Sequence, residues 1–226
     1  MSQQPDKNRK KRLRQPGRRA ADVRTPPTMA GQVGAAGPGR PHCAAEPLLS
    51  EEVLSLDPRF IGRIFSVEVQ QVKLPDGRLT SREVVRHPGG SCVVALDQEG
   101  CIYLVHQYRV GTGGPSREIP AGKLDPPEDA LSCARRELAE ETGLTADRWD
   151  LLIRFFPSPG YTDEVIHIYL ARDLIKGPAN PDQGEFISCE RIRLETALDE
   201  VLDGILTDGK TCLGILLTAI SVGLMR

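Results

Sequence analysis

The densest group of residues able to do chemistry lies in the middle of this 226-residue chain. Glu137, Glu140 and Glu141 stand three and four residues apart, so a helix would carry all three carboxylates on one face. Like charges at this spacing repel each other by roughly 0.2–0.5 kcal/mol per pair. The group therefore needs solvent, an arginine or a cation beside it, and Arg136 could orient Glu140 from four residues away. Periodicity alone does not distinguish a cation site from a solvated acidic face.

The helix that would hold these acids is predicted over 126–142. Asp125 suits the N-cap position, Pro126 suits the first helical position, and Glu128 could reach back to the N–H of the cap. Gly143 suits the left-handed position that commonly follows a helix. Four apolar residues at helical spacing form the face that we expect to be buried: Ala130, Leu131, Ala134 and Leu138.

Residues 122–144 match the pattern G-x5-E-x7-R-E-U-x-E-E-x-G-U, where U is an aliphatic residue, at every defined position. The chain thus resembles the Nudix hydrolases, whose box has this pattern. The resemblance implies an α/β fold, the Nudix α/β/α sandwich with a mixed β-sheet, over residues 46–226. It also implies a Mg²⁺ site, which Mn²⁺ could occupy instead, with Glu137 and Glu141 as ligands and Glu140 and Arg136 as catalytic residues. Hard divalent cations favour carboxylate oxygens, and bound metals would neutralise the pyrophosphate and activate water.

Two stretches before the box resemble the ADP-ribose pyrophosphatase branch of this family. Glu118 and Ala121 lie in an E-x-P-A-G lead into the box, and the branch uses the carbonyl of this alanine as a metal ligand. Gln107-Tyr108-Arg109 is similar to a Q-Y-R whose arginine faces substrate phosphate, a task that suits the fork of a guanidinium. The resemblance therefore implies that Arg109 and Glu118 bind substrate and that Ala121 binds metal.

A third stretch follows the box. Pro159, 16 residues after Gly143, is similar to the proline that distinguishes the branch, and the loop after it carries the acid thought to be the catalytic base. Glu164 matches that acid and is expected on a mobile loop, whereas Asp163 is expected to be a surface charge. The segment 208–211 also resembles the branch but is interpreted as a helix start with core packing.

These resemblances imply hydrolysis of ADP-ribose, a nucleoside diphosphate sugar, to AMP and ribose 5-phosphate. The same chemistry on another nucleoside diphosphate sugar or a dinucleotide stays open, because aromatic residues are only 4% of the chain and none can be chosen to stack on a base. A non-catalytic ADP-ribose sensor is a second alternative, but such modules usually lose box acids that this chain keeps. Members of the branch are commonly homodimers whose amino-terminal strands help to build the partner's site, which implies a homodimer here.

The elements that must position these residues are predicted from alternation and turn signals. Pro75-Asp76-Gly77 and the segment 97–100 are turn signals that predict two hairpins. Two further helices are predicted at 195–203 and 210–224. The predicted strands are Arg63–Lys73, Leu79–Arg86, Ser91–Leu96, Ile102–Gln107, Trp149–Phe156 and Glu164–Ala171.

Composition separates residues 1–45 from the rest. Residues 1–28 hold nine Lys or Arg against two Asp, and large apolar residues are scarce throughout the first 45, so we expect a disordered basic tail that could touch nucleic acid weakly.

Six cysteines without a CxxC pair argue against zinc and a disulfide framework and favour a reducing cytoplasm. The amino terminus lacks the apolar core of a secretory signal. The longest apolar run has 14 residues, whereas a membrane span needs about 20, so no membrane association is expected.

Overall fold

A computed structural model describes residues 49–177 and 186–225 of the chain. These residues all belong to one unit, Ala45–Arg226. The predicted tail, residues 1–45, lies outside the described residues. The helices of this part are α1 (Ala130–Thr142), α2 (Leu194–Leu202) and α3 (Gly209–Ser221). Its strands are β1 (Glu52–Ile61), β2 (Ser66–Lys73), β3 (Leu79–Arg86), β4 (Gly90–Ala95), β5 (Cys101–Arg109), β6 (Gly114–Glu118), β7 (Ala121–Lys123), β8 (Leu144–Phe155), β9 (Ile166–Lys176) and β10 (Ser188–Arg193).

A four-stranded sheet in the order β7-β4-β9-β8 lies at the centre of the fold. Strand β4 runs parallel to β9 and antiparallel to β7, so the sheet is mixed as predicted. All six residues of β4 are buried, which is typical of a strand covered on both faces. Cys92 and Val94 pack in a cluster with Ile215 of α3, whereas Val93 and Ala95 pack with Leu138 of α1. The sheet therefore lies between α1 and α3, which confirms the α/β/α sandwich.

Two further antiparallel sheets, β1-β2-β3 and β10-β5-β6, complete the described part. The predicted turn at Pro75-Asp76-Gly77 joins β2 to β3, where Gly77 adopts φ +85° and its N–H donates to the Leu74 carbonyl at 2.9 Å. The second hairpin, predicted around residues 97–100, is wrong. One isolated antiparallel bridge, Leu96 to Ile102, joins the segments on either side of the turn. Both edges of β4 are already taken by β7 and β9, so β5 continues into another sheet.

Helix α1 begins four residues later than predicted, at Ala130. Its N-cap is Asp129, whose Oδ1 accepts hydrogen bonds from Leu131 N at 2.9 Å and from Ser132 N at 3.0 Å. Residue 126 precedes a second proline, and a residue before proline is disfavoured in the helical region, so the helix cannot start there. The predicted C-terminal position is confirmed, because Gly143 follows the helix with φ 71°.

The remaining predicted elements differ mainly at their ends. The first predicted strand begins at Ser66 rather than residue 63, β8 begins at Leu144 rather than residue 149, and β9 begins at Ile166, after Glu164. Strands β1, β6, β7 and β10 were not predicted. Within the described ranges, no helix has both the length and the apolar character that crossing a membrane would require.

Candidate active site

A cavity of about 460 Å³, within the usual size range of small-molecule sites, opens where the ends of the central strands meet the start of α3. Three of the residues singled out in the sequence line it, namely Arg109, Ala121 and Glu164. They come from β5, from β7 and from the loop before β9, so the fold brings together residues that are far apart in the chain. The full lining is His87, Gly90, Ser91, Cys92, Arg109, Ala121, Gly122, Lys123, Phe155, Pro157, Glu164, Ile166, Asp208, Gly209 and Lys210.

Glu137 and Glu141 of α1 lie directly behind the residues of β7 that line this cavity. Both are buried, and Glu141 Oε2 accepts a hydrogen bond from Ala121 N at 3.0 Å. The Glu137 carboxylate lies so close to Gly122 that a Cβ built there would stand 1.7 Å from Glu137 Oε1. A side chain at residue 122 would therefore have to displace the Glu137 carboxylate, and the structure brings Glu137, Glu141 and Ala121 together.

Arg136 holds several carboxylates of this region. Its Nη1 donates to Glu137 Oε1 at 2.6 Å and to Glu140 Oε2 at 3.0 Å, so the contact expected from the spacing is present. Its Nε and Nη2 donate to the two oxygens of Glu128, each at 3.0 Å. These hydrogen bonds to Glu128, followed by the charge of Glu137, raise the pKa of Arg136 above its ordinary value. Three carboxylates thus share one guanidinium, and Glu141 adds a fourth negative charge nearby.

The donor set at the β7 rim fits a hard divalent cation. No group of three or more His, Cys, Asp or Glu in the described ranges converges closely enough to hold a metal by itself. The expected set has only two carboxylates, and its third donor is the backbone carbonyl of Ala121, so it does not depend on such a group. Each carboxylate has several lone pairs, so Glu137 can accept from Arg136 and still offer oxygen to a cation. Oxygen donors with excess negative charge are what Mg²⁺ and similar ions prefer.

A second charged group at the cavity is formed by Arg109, Lys210 and Glu118. Arg109 donates from Nε to Glu118 Oε1 at 2.8 Å and from Nη2 to Glu118 Oε2 at 2.6 Å, and Lys210 Nζ contacts the same carboxylate. The Glu118 side chain is 2% exposed and does not line the cavity, whereas Arg109 and Lys210 do. Burial raises the pKa of Glu118, but hydrogen bonds and charge from Arg109 and Lys210 outweigh it and lower the pKa from 4.5 to about 2. The structure thus places Glu118 behind the residues that line the cavity, where it binds the side chains of Arg109 and Lys210.

We expect Glu118→Gln to lower the free energy of unfolding at pH 7 by about 3–5 kcal/mol, because removing one partner of a buried ion pair leaves uncompensated charge. Because its native pKa is below its unfolded value, the contribution of Glu118 is full above pH 4.5 and is lost as the pH falls toward 2. Urea unfolding at several pH values measures it. The matched control is Glu99→Gln, since Glu99 is 76% exposed in its pair with Arg191 and should contribute about 1 kcal/mol at most. Equal losses in the two variants would contradict this account.

Two cavity residues, Lys210 and His87, were not predicted to belong to the site, since the segment 208–211 was interpreted only as a helix start with core packing. The predicted helix start is confirmed, since Asp208 caps α3 by accepting from Thr211 N at 3.0 Å, but Lys210 also reaches the cavity. A signal existed, because a lysine in the first turn opposes the helix dipole and thus points to a reason outside the helix. His87 Nδ1 lies 3.4 Å from Glu164 Oε1, and nothing in their separation of 77 residues predicts that contact.

The chain is similar to several known proteins. The family model described as the NUDIX domain matches residues 85–208. A methanol dehydrogenase activator of Bacillus methanolicus is 39% identical over 170 residues, which are 74% of this chain and 92% of the relative. An ADP-ribose pyrophosphatase of Bacillus subtilis (strain 168) is 37% identical over 169 residues, 74% of this chain and 91% of that protein. A crystal structure of an ADP compounds hydrolase superposes with a TM-score of 0.70 at 23% identity, covering 79% of this chain and 97% of that one, which shows a shared fold.

Proposed function

The chain belongs to the Nudix family of hydrolases, and from this premise we propose that it hydrolyses ADP-ribose to AMP and ribose 5-phosphate in a Mg²⁺-dependent reaction. The observation that carries the proposal is the cavity itself, which is lined by the cations Arg109 and Lys210 and by Ala121, whose N–H donates to the box acid Glu141. The name of the Bacillus subtilis relative supports ADP-ribose as the substrate. The reaction adds one water across the P–O–P anhydride, so each product carries one phosphate.

In this proposal the residues of the site bind the metal, accept a proton or bind phosphate. Glu137, Glu141 and the Ala121 carbonyl hold Mg²⁺, for which Mn²⁺ substitutes, and Arg136 and Glu140 keep Glu137 in place. The metal, when bound, shields the charge of the pyrophosphate and withdraws electrons from phosphorus. Glu164 orients the attacking water and accepts its proton. Arg109 and Lys210 bind the phosphate oxygens, and Glu118 acts on the substrate through these two cations.

Arg109→Gln and Lys210→Gln should each raise the KM for ADP-ribose about 10- to 100-fold and change kcat less. The reason is that each variant removes a charge-assisted hydrogen bond to phosphate, which typically contributes about 1.5–3 kcal/mol. Steady-state kinetics at saturating Mg²⁺ measure the split. Arg78→Gln serves as the control, because Arg78 is an exposed arginine paired with Asp76 in the β2–β3 turn. An unchanged KM in both cavity variants would remove them from the substrate site.

A substrate panel tests the proposed reaction directly. The panel contains ADP-ribose, a GDP-sugar, a UDP-sugar, a flavin dinucleotide and a dinucleoside polyphosphate, each read by phosphate release after phosphatase treatment of the products. We expect the highest kcat/KM with ADP-ribose. A higher value with another compound would transfer the same chemistry to that substrate. Tight binding of ADP-ribose without turnover of any compound would favour the non-catalytic sensor instead.

We also propose a homodimer assembled through the β1–β3 sheet. The proposal is supported by β1, an edge strand with five apolar residues that are each about half exposed or more exposed than that: Val53, Leu54, Leu56, Phe60 and Ile61. Such a strand is a template for pairing with another chain, and burying its side chains would stabilise a dimer. Light scattering at micromolar concentration should give twice the chain mass, and the mass of a single chain would contradict the dimer.

Two smaller proposals concern the tail and the location of the protein. Residues 1–45 are proposed to contact nucleic acid weakly through charge, so their deletion should reduce the affinity for nucleic acid at low salt and leave turnover nearly intact. Loss of turnover in a folded truncation would place the tail in the active site.

The cytoplasm is proposed as the location, because the cysteine pattern favours a reducing compartment. Cell fractionation tests that location.

A further inference from the structure

The loop that carries Glu164 is hydrogen-bonded to the end of β3. Val85 N donates to the Tyr161 carbonyl at 2.8 Å, and Asp163 N donates to the Val85 carbonyl at 3.2 Å. Residues 85 and 162 also form a parallel bridge, and Gly90 N donates to the Val165 carbonyl at 2.9 Å. Backbone contacts thus hold this loop on both sides of Glu164.

The side chain of Asp163 adds a charged contact to this docking. Its Oδ1 accepts from His87 N at 2.9 Å, and its Oδ2 accepts from Arg86 Nη1 at 3.0 Å. Asp163 lies at the surface as expected, with its side chain 42% exposed, but its carboxylate also joins the loop to the end of β3. We call the contact between Arg86 and Asp163 the loop clamp.

The loop clamp is itself supported from the neighbouring strand. Arg86 donates from Nε at 3.0 Å and from Nη2 at 2.6 Å to Glu68 Oε1 on β2, which leaves Nη1 directed at Asp163. Burial lowers the pKa of Arg86, but the hydrogen bonds to Glu68 and Asp163 outweigh it and raise the pKa above its ordinary value. The guanidinium therefore stays charged and oriented between the two carboxylates.

Glu164, the next residue after the clamped aspartate, lines the cavity. Its N–H donates to Thr162 Oγ1 at 3.1 Å, and its carboxylate lies beside the imidazole of His87. Catalytic groups must be held within about 0.5 Å of their working geometry, and a displacement of about 1 Å can lower a rate roughly 100-fold. An acid on a loosely held loop would occupy the cavity only part of the time.

We propose that Arg86 and Asp163 are positioning residues, whose ion pair fixes the loop so that the Glu164 carboxylate stands in the cavity. The proposal rests on the proposed function, since it takes Glu164 as the proton acceptor. It adds two residues outside the box that act on the reaction only through Glu164.

Arg86→Gln and Asp163→Asn test the loop clamp, each made alone and in a Glu164→Gln background. The single variants should lower kcat for ADP-ribose about 10- to 100-fold and leave KM within about 3-fold. Arg86→Lys, which keeps the charge, should recover part of the loss. In the Glu164→Gln background neither substitution should lower kcat more than about 2-fold, because the acid that they position is gone.

A matched control lies on the same strand. Arg82 of β3 forms an ion pair with Glu51 at 2.6 Å, and the contacts described for Arg82 do not involve residues 158–165. Arg82→Gln should therefore leave kcat at the wild-type value. Hydrogen exchange of residues 158–165, which needs no substrate, should become faster in Arg86→Gln and Asp163→Asn and should not change in Arg82→Gln.

Three outcomes would overturn the proposal, and they differ in what else they affect. Equal kcat values for the clamp variants and for Arg82→Gln would show that the contact does not matter to the reaction. An undiminished loss of kcat in the Glu164→Gln background would show that the residues act elsewhere. Wild-type kcat in Glu164→Gln alone would remove the acid from the proposed function as well, and the hydrogen-exchange result would still report whether the ion pair docks the loop.

Discussion

Glu137→Gln and Glu141→Gln are each expected to lower kcat/KM for ADP-ribose by about 1,000-fold or more at limiting Mg²⁺ while the protein stays folded. A neutral amide keeps the shape of the side chain but is a much weaker ligand for a hard cation. Lewis-acid stabilisation by a bound metal is worth several kcal/mol, and about 4 kcal/mol corresponds to roughly 1,000-fold in rate. Rates measured over a Mg²⁺ series, together with thermal unfolding of each variant, separate a lost cation from a lost fold.

The control and the metal removal sharpen that test. Glu200→Gln changes a half-buried glutamate that also pairs with an arginine, Arg117, but does not line the cavity, and it should keep wild-type activity. Excess chelator should abolish wild-type activity, and added Mg²⁺ or Mn²⁺ should restore it. Gly122→Ala should be as damaging as the glutamine variants, because its Cβ would collide with the Glu137 carboxylate. Full activity in chelator would refute the metal assignment.

The local part of the site was predictable because its chemistry is encoded by neighbouring residues. Helical spacing correctly placed Arg136 beside Glu140, and the family implied by residues 122–144 is confirmed by the NUDIX match. The C-terminal glycine of α1 was also correct, since a left-handed position selects glycine strongly. The predicted N-terminus of α1 was wrong because it took account of Pro126 alone and not of Pro127, which follows it.

Contacts between distant segments were not predictable in this way. Strand β1 was not predicted. It is an edge strand, in which a proline such as Pro58 is tolerated, and its register shifts between Pro58 and Phe60. The second hairpin was overpredicted because a turn signal cannot report that both edges of β4 are occupied. The contacts of Glu164 with His87 and of Asp163 with Arg86 join residues 77 positions apart, and no local pattern encodes them.

Glu164→Gln is expected to lower kcat by about 100- to 10,000-fold, to raise KM much less, and to leave the Mg²⁺ dependence nearly unchanged. A general base typically contributes a factor of this size, and the amide has the same shape but cannot accept the proton of the attacking water. Glu164 lines the cavity and makes no contact with Glu137 or Glu141 among those described, so its loss should not weaken the metal site directly. Steady-state kinetics over Mg²⁺ and pH series measure all three quantities.

The pH series also separates the proton acceptor from its neighbours. A general base works only in its proton-accepting form, so removing it in Glu164→Gln should alter the acidic limb of the kcat profile. Among the described contacts, His87 lies beside Glu164, and Asp163, the preceding residue, is paired with Arg86. Asp163→Asn should lower kcat by a smaller factor and keep the acidic limb, because it displaces the base without removing it. Should Asp163→Asn instead lose the limb while Glu164→Gln keeps it, the aspartate would be the proton acceptor and the resemblance would have been carried to the wrong residue.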